Sequence, residues 1–417
     1  MPGLQRSLRV FARRLVIALA LSSLVMVGAV ITVNYVLEEK FQKIGRENVD
    51  TVVAPPPTEV ANFLVLGSDT REFVQDELEE QAFGSPSGEA AGKRSDTLMV
   101  AHIDAKKERA VVVSFPRDLW VEIPGVELKD ENCAAIQGGR CMAKINSAFH
   151  NGPDVVVQTL KVNFGIDIHH YIEINFKTFR GIVDAIGTVP IYFPYPARDN
   201  NTGLYTPIAG CRKLDGEAAL AYARARELQF YSFPDQDWVD ADGSKDLGRI
   251  KRQQDFMRRL LSLAVAESAD DPLTANRVID EIVENLTVDQ ALQKEDLLSL
   301  VSVFSDVDPQ DSSKVEFLTL PGRNGSAGPL SVLYVEEEEA ADMLAALRDS
   351  TANEEAPSTT DPLATSSSAA DPFAMTTTTT TTTSAAPGVA TTTTSSPALI
   401  VDEDRFGPAA EVSRPCN

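Results

Sequence analysis

Short apolar runs separated by Gly, Pro, Asp and Ser set the rhythm of this chain from residue 61 onward. Residues 61–67, 97–103 and 109–115 are β-branched and aliphatic runs of strand length bounded by turn formers, which predicts buried strands. Residues 72–94 between the first two are acidic and rich in Gly and Ser, the composition of an exposed loop. Farther on the period changes. Apolar positions at helical spacing predict helices over 153–162, after a Pro, and over 176–186, ending at Gly187. Strands are expected over 170–175 and 189–193. Helices follow over 215–226, 245–266, 272–286 and 289–304, then strands over 315–320 and 330–334 and an acidic helix over 336–347. Strands and helices interleave throughout, which predicts a layered α/β domain with helices covering a central sheet. No repeat of 20 to 50 residues is visible.

The ends of the chain depart from this pattern. Residues 15–37 carry no charge and are mostly Leu, Val, Ile and Ala. That is enough, at about 1.5 Å per residue, to cross about 30 Å of hydrocarbon, so a transmembrane helix is expected. Arg6, Arg9, Arg13 and Arg14 precede it while Glu38 and Glu39 follow, which places residues 1–14 in the cytoplasm and the rest outside. A cleaved signal peptide is the rival reading, disfavoured by the length of the run and the lack of a small-residue cleavage site. Residues 38–60 read as a polar stalk closing on Pro55, Pro56 and Pro57, residues 61–348 as the folded domain, and residues 349–417, largely Thr, Ser, Ala and Pro, as a disordered tail.

A formal net charge of −23 disfavours nonspecific nucleic-acid binding, since a phosphate backbone is repelled unless basic groups are concentrated. Four cysteines, Cys133, Cys141, Cys211 and Cys416, in an exported chain without CxxC spacing point to disulfides rather than a metal site. Cys133 with Cys141 is the local candidate, and Cys416 is expected to be free in the tail; buried unpaired thiols are the other reading. The histidines His102, His150, His169 and His170 have neither triad nor metal spacing and read as structural.

Candidate chemistry collects at the ends of the apolar strands, where a layered α/β fold opens its crevice. The first strand leads into Gly67-Ser68-Asp69-Thr70-Arg71, Lys93-Arg94-Ser95-Asp96 precedes the second, and the third ends in Pro116-Arg117-Asp118. Lys144, Arg224, Arg226, Arg249, Arg252 and Gln253 follow, with Arg249 and Arg252 on one helical face. A lone tripeptide of this kind is usually a turn or a cap, and a lone arginine is as often a solvated or ion-paired surface group. Their joint occurrence is what carries weight. Guanidiniums converging in an acidic protein call for an anion, and their planar forks suit phosphate oxygens. Asp69 and Asp96 at neighbouring strand ends suit Mg²⁺ rather than Zn²⁺, because no histidine or thiolate is spaced to join them.

The ordered motifs around Asn62 to Asp69, Arg94 to Met99, Ser114 to Asp118, Lys144 to Asn146, Leu214 to Arg226 and Asp246 to Gln254 resemble the LytR-CpsA-Psr family over roughly residues 60 to 265, with a family-like portion to about 348. The resemblance implies an α/β/α domain with a central mixed sheet that encloses an apolar tunnel for a polyprenyl tail, with the pyrophosphate at its charged mouth. It implies a phosphotransferase that moves a glycopolymer from a polyprenyl-pyrophosphate carrier onto a peptidoglycan sugar hydroxyl, using Mg²⁺ and forming a phosphodiester. On matching positions Asp69 and Asp96 would hold Mg²⁺. Arg117, Arg224, Arg226 and Gln253 would hold the pyrophosphate, with Arg94, Lys144, Arg249 and Arg252 as supporting charge. Asp118 either orients Arg117 or accepts the acceptor's proton, and the sequence leaves both open. Plain hydrolysis of the carrier, and carrier binding without turnover, are the alternatives. Residues 227–245, with Phe230, Tyr231, Phe233 and Trp238, depart from the family pattern and read as a long loop acting as a lid or touching the bilayer.

Overall fold

Strand β2 (Val60–Ser68) is buried on both faces, because Phe63 and Leu64, which point to opposite sides, are 2% and 0% exposed. The computed structural model describes residues 35–55, 60–68, 95–104, 106–128, 133–241, 245–270, 277–281, 283, 286–296, 314–348, 403–406 and 416. Around β2 runs a seven-stranded mixed sheet. Its spatial order is β1 (Gly45–Glu47), β15 (Thr287–Asp289), β8 (His170–Asn175), β2, β3 (Ser95–Asp104), β4 (Arg109–Phe115) and β16 (Val315–Thr319). Strands β2 and β3 pair antiparallel while β2 and β8 pair parallel.

The alternation sorts the core into two layers. Leu64, Leu66, Val100 and Val113 pack against helix α1 (Pro153–Phe164) and helix α5 (Glu337–Arg348). Phe63, Met99, Val112 and Ile172, on the opposite face, meet Met257 and Leu261 of the long helix α4 (Lys245–Asp270). A third cluster joins helix α2 (Phe176–Ile186), helix α3 (Gly216–Arg224) and α4 to the hairpin of β9 (Val189–Phe193) and β12 (Gly210–Leu214). Helices cover both faces of a mixed sheet, so the layered α/β expectation holds. Smaller sheets lie around it: β5 (Trp120–Glu122), β6 (Ala135–Gln137) and β7 (Arg140–Lys144); β10 (Ala197–Asp199), β11 (Leu204–Thr206), β13 (Gln229–Ser232) and β14 (Asp237–Asp240); and β17 (Gly322–Ala327) with β18 (Leu330–Val335). Helix ends follow their sequence signals. Asn175 and Asp215 accept from Thr178 N–H and Ala218 N–H as N-caps, and α1 stops at Gly165, whose φ of 69° suits a residue without Cβ.

Several expectations change. The stalk assigned to 38–60 is largely part of the domain: Phe41, Ile44 and Val49 are buried, and β1 joins the sheet edge beside β15. Scattered single apolar residues and a three-residue strand have no readable period, so only the tertiary pairing reveals them. Residues 287–289 form β15, so residue 289 is the end of a strand rather than the start of the helix expected over 289–304, since Val288 is buried between β1 and β8. The loop assigned to 227–245 contains the β13–β14 hairpin. Cys133 pairs with Cys141 as expected, whereas Cys416 is not free but bonds Cys211. The tail assigned to 349–417 therefore returns to the domain at its end, where Phe406 in the short helix α6 (Glu403–Phe406) is fully buried against Tyr195 and Phe230. The apolar segment 15–37 lies outside the described residues except for its last three. Among the described residues no helix is long and apolar enough to cross a membrane.

His169, buried beside β2, accepts the Asn62 N–H on Nδ1 at 2.8 Å and so must stay neutral there. Burial, reinforced by His170, lowers its pKa to about 4. The unfolded chain takes up this proton at a higher pH than the folded one, so the stability it contributes is present above about pH 6.5 and is lost as pH falls toward 4. At about 1.4 kcal/mol per pH unit, urea titrations from pH 7 to 4 should show a loss of up to about 3 kcal/mol that His169→Gln flattens.

Candidate active site

The C-terminal end of β4 runs straight into Arg117 and Asp118, and three backbone bonds fix what stands opposite them. Ile145 N–H donates to Leu119 O at 2.8 Å, Asn146 N–H to Arg117 O at 3.3 Å, and Leu333 N–H to Asp118 O at 2.9 Å. Trp120 also pairs with Lys144 in the β5–β7 ladder. The motif at Lys144 is thereby clamped to the motif at Arg117, and Lys144 Nζ lies 2.6 Å from Asp118 Oδ1. Arg117 Nε lies 3.7 Å from Asp118 Oδ2 and 3.2 Å from Asp246 Oδ1 on the first turn of α4. Asp246 Oδ1 is in turn 2.8 Å from Arg249 Nη2. Five charged groups thus form one chain, Lys144, Asp118, Arg117, Asp246 and Arg249, alternating in sign.

Arg249 connects this chain to the apolar interior. It is 1% exposed and lines, with Arg224 and Gln253, a cavity of about 100 Å³ between the sheet and α2, α3 and α4. Val65, Met99 and Ile174 form its sheet wall; Phe179, Leu220 and Phe256 form its helical wall. Arg224 holds its guanidinium carbon 4.4 Å from the Phe176 ring centroid, a stacked arrangement that keeps a charge at the rim of an oily space. Gln253 donates to Ala223 O at 3.1 Å and ties α4 to the end of α3. Arg252 is wholly buried and donates to Ala225 O. It therefore anchors the turn that carries Arg224 and Arg226 rather than lining the cavity. Arg226 lies half-buried two residues beyond the last residue of α3.

Asp69 and Arg94 lie outside the described residues. The backbone of Asp96 is described: Gly67 pairs with Thr97 and Ser68 with Ser95, so Asp96 is the extra residue of a bulge at the end of the β2–β3 ladder. A set of two carboxylates with hard oxygen donors leaves positions open for phosphate oxygens and water, which is the coordination Mg²⁺ favours.

Two residues of the site carry no role in the sequence reading. Asp246 joins Arg117 to Arg249, and its position three residues before Arg249 on a helix was the available signal. Gln254 is 7% exposed and places its amide nitrogen 3.0 Å from Ser114 Oγ, 2.9 Å from Leu318 O and 3.1 Å from Thr319 Oγ1. It pins α4 to β4 and β16, so the helix bearing Asp246 and Arg249 is set against the strand bearing Arg117. No local pattern predicts that bond.

A mixed sheet thus lies between helical layers, with Arg224 and Arg249 beside an apolar cavity. The chain belongs to the LytR_cpsA_psr family, whose model matches residues 27–349. The probable cell wall biosynthesis protein LcpB of Corynebacterium glutamicum is 31% identical over 245 residues, covering 58% of this chain and 52% of that one. The polyisoprenyl-teichoic acid–peptidoglycan teichoic acid transferase TagU of Oceanobacillus iheyensis is 30% identical over 208 residues, covering 48% and 55%. The chain spans about half the length of these curated relatives. The LytR-Csp2A-Psr enzyme from Actinomyces oris shares the fold, with a TM-score of 0.54 at 23% identity over 73% of this chain and 95% of that one.

Proposed function

We propose that this protein transfers a glycopolymer from a polyprenyl-pyrophosphate carrier to a sugar hydroxyl of peptidoglycan. The observation that carries the reading is the continuity of Arg249, which lines the apolar cavity, with Asp246, Arg117, Asp118 and Lys144 beyond it. Family membership and the names of its relatives support the same chemistry. The acceptor oxygen attacks the polymer-proximal phosphorus and gives up its proton to solvent, the bond from that phosphorus to the bridging oxygen breaks, and polyprenyl phosphate departs. Arg117, Arg224, Arg226 and Gln253 hold the diphosphate, with Arg94, Lys144 and Arg249 as supporting charge, while Arg252 supports the site by fixing its turn. Asp118 has Lys144 on one oxygen and Arg117 near the other, which favours an orienting role over proton removal. Asp69 and Asp96 would hold Mg²⁺, whose charge would oppose the negative charge that develops on the phosphate oxygens.

A cavity of about 100 Å³ is smaller than the roughly 150 Å³ that admits a benzene ring. Entry of a prenyl tail therefore requires the cavity to widen. The unstrained way to do so is repacking of Phe179, Phe256 and Met257, which line it. The apolar run at 15–37 and the two disulfides support a single-pass anchor with the N-terminus in the cytoplasm and the domain in the oxidising space outside.

Incubating the full chain with lipid-linked oligosaccharide, peptidoglycan and Mg²⁺ should yield a sugar phosphodiester, and chelation should stop it. Free polymer phosphate as the sole product would establish hydrolysis instead.

A further inference from the structure

We propose that the outer face of the sheet formed by β11, β10, β13 and β14 is a docking surface for the glycan strand of the acceptor, an inference that rests on the transferase reading. Alternation fixes that face. Phe230 and Ser232 are fully buried, so Gln229 and Tyr231 point outward; Leu204 and Thr206 are buried, and Tyr205 between them is 64% exposed. The register sets Tyr231 beside Trp238 and Arg198 beside both Tyr205 and Gln229. Ring centroids are 5.6 Å apart for Tyr231 and Trp238, 6.4 Å for Tyr205 and Trp238, and 5.3 Å for Tyr231 and Phe233. Tyr205 and Phe233 are exposed while Tyr231 and Trp238 are half-buried, and a contiguous array of partly exposed rings marks an interaction surface rather than ordinary solvent exposure.

The surroundings choose the occupant. Arg198 packs its guanidinium 4.5 Å from the Trp238 centroid and donates to Gln229 at 2.8 Å, so hydrogen-bonding groups are interleaved with the rings. The apolar face of a pyranose stacks on aromatic rings while its hydroxyls seek such groups. Exposed Glu227, Asp237 and Asp240 rim the face, which disfavours both an anionic bilayer and a phosphate-rich polymer. A glycan free of phosphate meets no such repulsion. An adjoining cavity of about 480 Å³ shares Tyr205 and is lined by Thr202, Arg212, Lys213 and Glu217, so polar contacts continue beyond the rings. Its wall includes Ala218 and Ala221 of α3, whereas Ala223 and Arg224 of the same helix line the apolar cavity. From Ala218 to Arg224 the helix rises about 9 Å, so a glycan held here lies within a short oligosaccharide's reach of the reacting phosphate.

The chain has two tryptophans, and Trp120 pairs with Lys144 beside the candidate active site, so emission is read in Trp120→Phe protein, where it reports on Trp238 alone. The full chain is titrated with three probes: muramidase-released glycan fragments, phosphate-bearing wall polymer freed from its carrier, and vesicles containing phosphatidylglycerol. The fragments should shift the emission saturably, equally so in Arg117→Ala, and about tenfold more weakly in Tyr205→Ser, an exposed site that leaves folding intact. Trp238→Ala should lose transfer to polymeric peptidoglycan while retaining transfer to a minimal soluble acceptor. A shift produced only by the free polymer or only by vesicles, or none with fragments in protein that still transfers, overturns the proposal. Fragment binding without any transfer would overturn the transferase reading and leave this surface standing.

Discussion

Arg117→Ala should lower kcat/KM for glycopolymer transfer by about a thousandfold, the scale on which a preorganised charge donor at a reacting phosphate contributes. Arg117 stands between two carboxylates, 3.7 Å from Asp118 and 3.2 Å from Asp246, and its backbone carbonyl is held by Asn146. Its guanidinium is therefore positioned before any ligand arrives, so its effect falls on the charge that develops during the reaction. Arg117→Lys keeps the charge but lacks the planar fork and should recover only part of the loss. Single-turnover rates at saturating acceptor, with thermal melting to confirm the fold, decide the matter. A variant within tenfold of the wild type would remove Arg117 from the catalytic machinery.

Asp246→Ala should act on both stability and rate. Arg249 is 1% exposed, and Asp246 is the carboxylate recorded beside it at 2.8 Å. Removing one partner of a largely buried ion pair takes away part of what offsets the other charge's desolvation, at a cost of about 2 kcal/mol. The same change removes the nearer of the two carboxylates beside Arg117, so turnover should fall by about tenfold to a hundredfold, the scale of losing an orienting contact to a ligand-holding group. The two losses share one carboxylate. In the double variant Arg117→Ala with Asp246→Ala, the rate losses should therefore be clearly less than additive, while the stability loss follows Asp246. Additive rate effects would show that the two residues act separately.

The charged chain from Lys144 to Arg249 is assembled by three separate parts of the sequence: the end of β4, the end of β7 and the first turn of α4. Gln254 supplies the rigid reference, since it ties α4 to Ser114 and Thr319 across two strands. Arg252 fixes the turn after α3 through Ala225 O. These contacts place the charged groups of the site on packed elements, which is what the proposed electrostatic mechanism requires.

The sequence by itself determined the elements whose pattern is long and locally complete. Strands 170–175 and 189–193 and helix 176–186 follow from apolar runs and from Asn175 and Gly187 at their ends, because periodicity and capping act within a few residues. It also singled out Arg117, Lys144 and Arg249, since basic groups at strand and helix ends stand out in an acidic chain, while the role of Gln253 came from the family resemblance. Tertiary structure decided the rest. The capture of 45–47 and 287–289 by the sheet edge, the bond from Cys211 to Cys416 and the seating of Phe406 join residues far apart in the chain, and their local sequences carry no period. The same holds for Asp246 and Arg252: whether a helical charge faces solvent, a partner or a backbone carbonyl depends on what the fold packs against it, and short-range spacing cannot encode that.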